Sequence, residues 1–214
     1  MAAILRELEE QLKTDHTALI IIDVQNDFCS PDGAMAKKLG VDVSRINSSI
    51  PHLNALIEEA RKSQVLVVWV RVAHTLARML PNKRLLRAEG EDVWPVKEGT
   101  WGAGWYEKVS KPLPDEPVVT KFNYDAFADT ELELLLRARE IKTVVTAGYL
   151  AEVCVETTAR SAFIKGYYVV VPEECTDSYS EEAYRASLST LDRYFGRVVP
   201  AGRIAKLWVK AKKK

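Results

Sequence analysis

The sequence has little of what would mark a secreted, membrane-spanning or metal-binding chain. It holds three cysteines, Cys29, Cys154 and Cys175, an odd number with no CxxC pair. They read as free thiols in a reducing cytoplasm, not as a disulfide framework. Histidine is equally sparse, with His16, His52 and His74 alone in 214 residues, so neither a metal centre nor another cofactor is expected. No stretch approaches the roughly 18 apolar residues of a membrane-spanning helix. Residues 1–11 are charged and helix-like, without the apolar run of a secretory signal, and the expectation is a cytoplasmic protein. Charge of one sign is missing too: 30 basic residues balance 30 acidic ones. Without a positive excess to release counterions, a nucleic-acid partner is not expected. The basic end, Lys210-Ala211-Lys212-Lys213-Lys214, reads as a solvated tail.

What is present is a globular core. Hydrophobic residues make up 47% of the chain and charged residues 28%, a balance that excludes intrinsic disorder. A chain of this length buries about 70% of its unfolded surface and needs one domain, here taken as 1–214. Short apolar runs at 17–22, 65–70, 117–120, 143–146 and 167–171, with a shorter one at 197–199, suit strands buried on both faces. Between them lie helical patterns at 43–63, 129–139, 152–165 and 180–195. The first carries Ile46, Ile50, Leu53 and Ile57 on one face, and Gly166 is placed to stop the third. Alternation of this kind predicts an α/β domain with a doubly wound parallel sheet and helices on both faces. Residues 72–116 stay irregular, with a short helix expected within 75–87 and a tryptophan- and glycine-rich stretch after it. Loops this long are usually functional.

In a doubly wound sheet the ligand sits beyond the carboxyl ends of the strands. The first run ends in Asp23, the third in Lys121, and the fourth leads through Ala147-Gly148-Tyr149-Leu150-Ala151-Glu152-Val153 to Cys154. An acid, an amine and a thiol meeting there suit nucleophilic catalysis. The cation and a helix start favour the thiolate, Asp23 moves the proton, and the product is a thioester that water resolves. Backbone N–H groups before Cys154, those of Ala151 and Cys154 itself, would hold the oxyanion. A nucleotide-binding dehydrogenase shares this sheet, but its phosphate turn needs closely spaced glycines. Here that turn is Asp23-Val24-Gln25-Asn26-Asp27-Phe28, acidic and without glycine.

These residues resemble the isochorismatase-like cysteine hydrolases. The matching pieces are Ala18-Leu19-Ile20-Ile21-Ile22-Asp23-Val24-Gln25-Asn26-Asp27-Phe28, then Val119-Thr120-Lys121-Phe122 with Ala126-Phe127, and Ala147 through Cys154-Val155-Glu156-Thr157-Thr158. The resemblance covers residues 17 to about 200. It implies six parallel strands in the order 3-2-1-4-5-6, with Cys154 as nucleophile, Asp23 as proton shuttle and Lys121 as the cation between them. It also implies a cis peptide bond aiming an N–H at the oxyanion, assigned here to Leu150–Ala151, with Ala151 where the family commonly has threonine. A homo-oligomer and a small-molecule substrate are implied as well. The isochorismatase branch lacks the cysteine, so Cys154 points to C–N hydrolysis of an amide, ureido or carbamoyl compound. Nicotinamidases carry an Asp-x-His metal motif after the second strand, where this chain has Arg71-Val72-Ala73-His74. A nicotinamidase-type amidase and a catalytically degenerate binding protein remain the alternatives. Candidate substrate contacts are Asn26, Phe28, Arg71, His74, Trp101, Trp105, Tyr149 and Glu152. The stretch from Trp101 to Trp105 reads as a lid or as a tryptophan-anchored surface loop.

Overall fold

The computed structural model describes residues 4–85 and 94–212, with the side chain of Lys212 left aside. Its centre is β1 (Thr17–Ile22), every residue of which is buried. A strand with six apolar or β-branched residues in a row has no face to give to water, so both flanks and both faces must be covered. β2 (Leu66–Val72) pairs with it on one side and β4 (Thr143–Tyr149) on the other, both parallel. β3 (Val118–Lys121) extends the sheet beyond β2, while β5 (Tyr168–Pro172) and β7 (Arg197–Val199) extend it beyond β4. The order β3-β2-β1-β4-β5-β7 is the 3-2-1-4-5-6 arrangement expected, with one addition. The two-residue β6 (Thr176–Asp177) pairs with the end of β4. A strand that short carries no periodicity to detect.

Alternation along β1 sends neighbours to opposite faces. The short helices α1 (Leu8–Gln11), α2 (Asn26–Cys29) and α3 (Ala34–Leu39) precede the longer α4 (Ser44–Lys62). Leu19 and Ile21 join a core with Ile46, Leu53 and Ile57 of α4 and with Ile204 and Trp208 of α9 (Ala201–Lys212). Ala18, Ile20 and Ile22 face a second core. It is built from α6 (Leu132–Ala138), α7 (Glu156–Ile164) and α8 (Glu181–Tyr194) through Leu132, Leu136, Ala159, Ala162, Leu188 and Leu191. Ser180 caps α8 by accepting the Ala183 N–H at 3.3 Å, and Gly166, at φ 90°, ends the turn after α7.

Some boundaries move. The helix expected over 129–139 begins at Leu132, because Asp129 takes a left-handed conformation (φ 57°) that starts no helix. The helix expected over 152–165 opens as a wide π-type turn, Ala151–Val155, before α7. Of the basic end, residues 210–212 continue α9, where Lys210 pairs with Glu9 at 2.8 Å, and residues 213–214 lie outside the described residues. In the irregular region, the helix expected within 75–87 splits into a 3-10 turn, Leu76–Arg78, and a helix α5 (Pro81–Leu85). Pro81, which has no N–H to donate, suits the first position of the second piece. Residues 86–93 of the segment taken as a lid lie outside the described residues.

Candidate active site

Asp23, Lys121 and Cys154 arrive from three strand ends. Asp23 follows β1 with a positive φ of 54° and donates its N–H to Val70. Lys121 is the last residue of β3, and Cys154 sits in the wide turn that leaves β4. The approach of β1 and β4 depends on Gly148, paired with Ile22 at φ 114°. A Cβ there would lie 2.1 Å from the Ile22 carbonyl oxygen, so the side chain must be absent for Asp23 and the Cys154 turn to meet.

The lysine joins the other two. Its Nζ lies 2.8 Å from Asp23 Oδ2, 3.2 Å from Cys154 Sγ and 2.9 Å from the Asn123 carbonyl oxygen. Three protons meet three acceptors, which is the full capacity of an ammonium. Asp23 and Lys121 are completely buried, and Cys154 is nearly so. A charge pair this far from water persists because each partner compensates the other. Burial favours the neutral lysine, but Asp23 and Cys154 outweigh it and hold Lys121 above its ordinary value. Burial also pushes the Cys154 thiol up to about 12. Lys121 pulls it down, while the Asp23 charge and the hydrogen bond to Asp23 push it up. The lowered thiol that a cation and a helix start alone would give is therefore not found. Desolvation and the neighbouring carboxylate both favour the protonated sulfur.

The triad lines a cavity of about 130 Å³. Val153 and Val155 both donate their N–H to the Leu150 carbonyl (3.2 and 3.1 Å), whereas the buried Ala151 N–H has no acceptor among the described residues. The cis bond is Tyr149–Leu150, one residue before the Leu150–Ala151 bond assigned from the sequence. β4 runs on to Tyr149 and the chain turns out of the sheet there, so Leu150, not Ala151, follows the cis bond.

Of the candidate substrate contacts, Phe28, His74 and Tyr149 line the cavity. The Tyr149 hydroxyl lies 2.7 Å from Ser49 Oγ, and His74 Nδ1 donates to the Pro95 carbonyl at 2.9 Å. The others do not line it. Arg71 is exposed and donates to Thr120 Oγ1, because alternation along β2 puts it on the face opposite Val72, which does line the cavity. Asn26 Nδ2 donates to the Trp101 carbonyl at 2.7 Å, so Asn26 fastens the irregular segment instead of reaching a ligand. Trp105 packs against Trp69, ring centroids 5.3 Å apart, and Trp101 is 59% exposed on the outer surface. Of the two readings of this stretch, the anchored surface loop is the one observed. Glu152 accepts a hydrogen bond from Ser178 at 2.8 Å, away from the cavity.

Sequence reasoning missed Met35, Val72, Lys83, Asn123, Tyr124, Leu150 and Val153, all of which line the cavity. Asn123 and Tyr124 follow the Lys121 strand end directly, and the rule that found Lys121 reaches them as well. Lys83 and Met35 lie on short helices with no pattern to signal their direction. Gln25 was also missed: its amide bonds the backbone of Val72 on both sides (2.9 and 2.9 Å) and the Ala103 carbonyl (2.8 Å). It ties the ends of β1 and β2 to the irregular segment. Among the described residues no group of three or more His, Cys, Asp or Glu is placed to hold a metal ion, and no helix is long and apolar enough to cross a membrane.

Known proteins resemble this chain along most of its length. Residues 17–202 match the model of the Isochorismatase domain. A ureidoacrylate amidohydrolase of Methylobacterium radiotolerans is 30% identical over 196 residues, covering 85% of this chain and 75% of that one. Its counterpart from an Enterobacter species is 31% identical over 198 residues, covering 86% and 85%. The crystal structure of a cysteine hydrolase from Pseudomonas syringae pv. phaseolicola superposes with a TM-score of 0.85 over 99% of this chain and 100% of that one, at 24% identity. That last likeness is one of fold. With the domain match spanning nearly the whole chain and both amidohydrolases aligned along most of it, the chain belongs to the isochorismatase family.

Proposed function

We propose that the protein is a cysteine-dependent amidohydrolase that cleaves the C–N bond of a small amide, ureido or carbamoyl substrate. The observation that carries this reading is Lys121 Nζ standing 2.8 Å from a carboxylate and 3.2 Å from a thiol at the wall of one cavity. Relatives named for amide hydrolysis support it.

The chemistry follows from who holds the proton. Cys154 rests as a thiol, so the attack needs a base in contact with it. Asp23 takes the proton while sulfur adds to the substrate carbonyl, and the carbonyl electron pair moves onto oxygen. The buried N–H groups at the turn, that of Ala151 among them, are the donors for this oxyanion. As the C–N bond breaks, Asp23 returns its proton to the departing nitrogen, leaving a thioester. Water then gives a proton to Asp23 and adds to the thioester carbonyl. The C–S bond breaks, and the proton on Asp23 goes back to sulfur. Amide plus water become acid plus amine, with the enzyme unchanged. Lys121 stays charged throughout and stabilises whichever of its two neighbours is the anion.

An ammonia-release screen over ureidoacrylate, biuret, carbamoylsarcosine, maleamate and nicotinamide tests the reading. Turnover of at least one compound, with a covalent adduct on the peptide holding Cys154 after acid quench, is the expected result. Turnover that survives removal of the Cys154 sulfur would overturn it.

A further inference from the structure

Cys154 and Lys121 belong to different strand ends, and the chain beyond each is tied to the other. Cys154 leads into α7, and Lys121 leads into residues 122–127. Thr158, four residues after Cys154, is fully buried, and its Oγ1 accepts the N–H of Ala126 at 3.1 Å. Ala126 is fully buried too, so without that hydroxyl its N–H has no water to turn to. Ser161, three residues further along the same face of α7, donates to Asp125 Oδ2 at 2.7 Å, and Asp125 Oδ1 accepts the Phe127 N–H at 2.8 Å. Ala126 and Phe127 share a core with Val155, Ala159 and Ala162. The segment that follows Lys121 is thereby fastened to the helix that follows Cys154.

That segment carries one of the three acceptors of the Lys121 ammonium. Asp23 Oδ2 lies at 2.8 Å and Cys154 Sγ at 3.2 Å, and both are side chains of the site. The third acceptor, the Asn123 carbonyl at 2.9 Å, is main chain, and its place is set by where residues 122–127 run. Lysine has a flexible four-carbon stem, so its head group keeps one position only while its protons are held. We infer that Thr158 is a positioning residue, assisted by Ser161 and Asp125: it docks the chain after Lys121 on α7 and so fixes the ammonium at contact distance from the sulfur. Only the consequence for catalysis rests on the amidohydrolase reading above.

Thr158→Val keeps the branched shape and removes the hydroxyl. Iodoacetamide alkylation of the peptide holding Cys154, followed by mass spectrometry, needs no substrate and therefore answers even if no amide is hydrolysed. At pH 8 the Thr158→Val rate should fall about 2–10-fold, the worth of one neutral hydrogen bond, because the cation is no longer held beside the sulfur. Thr158→Ser, which retains the hydroxyl, should stay within about twofold of wild type. In a Lys121→Met background, Thr158→Val should change the rate no further, since the hydroxyl acts through the ammonium. With a hydrolysed substrate in hand, kcat should fall by the same factor while KM stays within about twofold. A Thr158→Val rate equal to or above that of wild type overturns the inference, as does a Thr158→Ser protein as slow as Thr158→Val. An equal change in both backgrounds also overturns it, because general loosening of the fold would act without the lysine. Should Thr158→Val fail to fold by circular dichroism, Ser161→Ala is read in the same two backgrounds by the same criteria.

Discussion

The cavity has two walls of different origin. One is made of strand ends: Asp23 after β1, Lys121 closing β3, and the Tyr149-to-Cys154 turn after β4. The other is made of short helices and loops, which bring Phe28, Met35, His74 and Lys83. The first wall is fixed by sheet register, and its groups hold one another at 2.8 and 3.2 Å. The second is fastened by side chains clasping backbone, as Asn26 and Gln25 do with residues 101 and 103. Asp27 does the same through the N–H groups of Ala34 and Val96. On the proposed reading the strand-end wall carries the chemistry and the wall of short helices and loops meets the rest of the substrate.

Changes to the strand-end wall should be the most damaging. Asp23→Asn should cut kcat/KM by about 10²–10⁴, the worth of a positioned acid–base group. The same change should make Cys154 easier to ionise, because the carboxylate is one of the causes that hold the thiol up. Iodoacetamide should therefore alkylate the variant faster than the wild type at pH 8 while hydrolysis collapses. Both rates falling together would mean that the Asp23 carboxylate does not hold the thiol up. Gly148→Ala, which drives a Cβ into the Ile22 carbonyl, should cost about 3 kcal/mol or more in urea unfolding and separate β1 from β4. A fully stable, fully active variant would break the link between register and site.

Lys121→Met should move the thiol in the opposite direction. Its pKa lies at about 12 with the cation present, and removing the cation should delay alkylation to still higher pH. An alkylation profile unchanged from wild type would detach Lys121 from the sulfur. Smallest of all should be the effects of Arg71→Ala and Trp101→Ala. Both side chains are exposed and outside the cavity, so kcat/KM should stay within about threefold of wild type. A larger loss in either would mean that the cavity wall extends further than drawn.

The two walls also differ in how far the sequence reveals them. Continuous apolar runs identify β1, β2 and β4 because covered strands carry mostly apolar residues, and the residues after each run mark the strand end. That is why Asp23, Lys121 and Cys154 were legible long before any geometry. The resting state of the sulfur was not, because desolvation depends on what covers Cys154 from elsewhere in the chain. Arg71 was misassigned since proximity to a strand end does not say which face a residue takes; its buried neighbours Val70 and Val72 carry that information only once the alternation is followed. The tryptophans at 101 and 105 suit a lid and an anchored surface loop equally, because what holds that stretch is contact between side chains and main-chain carbonyls, which composition does not record. Lys83 left no signal at all. A lysine on a five-residue helix gains its meaning from the path of a loop, not from any spacing.

Replacing one sulfur decides the matter. Cys154→Ala, purified as a folded protein by circular dichroism, should release no ammonia above background from a compound the wild type hydrolyses, and its acid-quenched mass should show no acyl adduct. Ammonia release at the wild-type rate from that variant would contradict a thioester route and with it the role assigned to the strand-end wall.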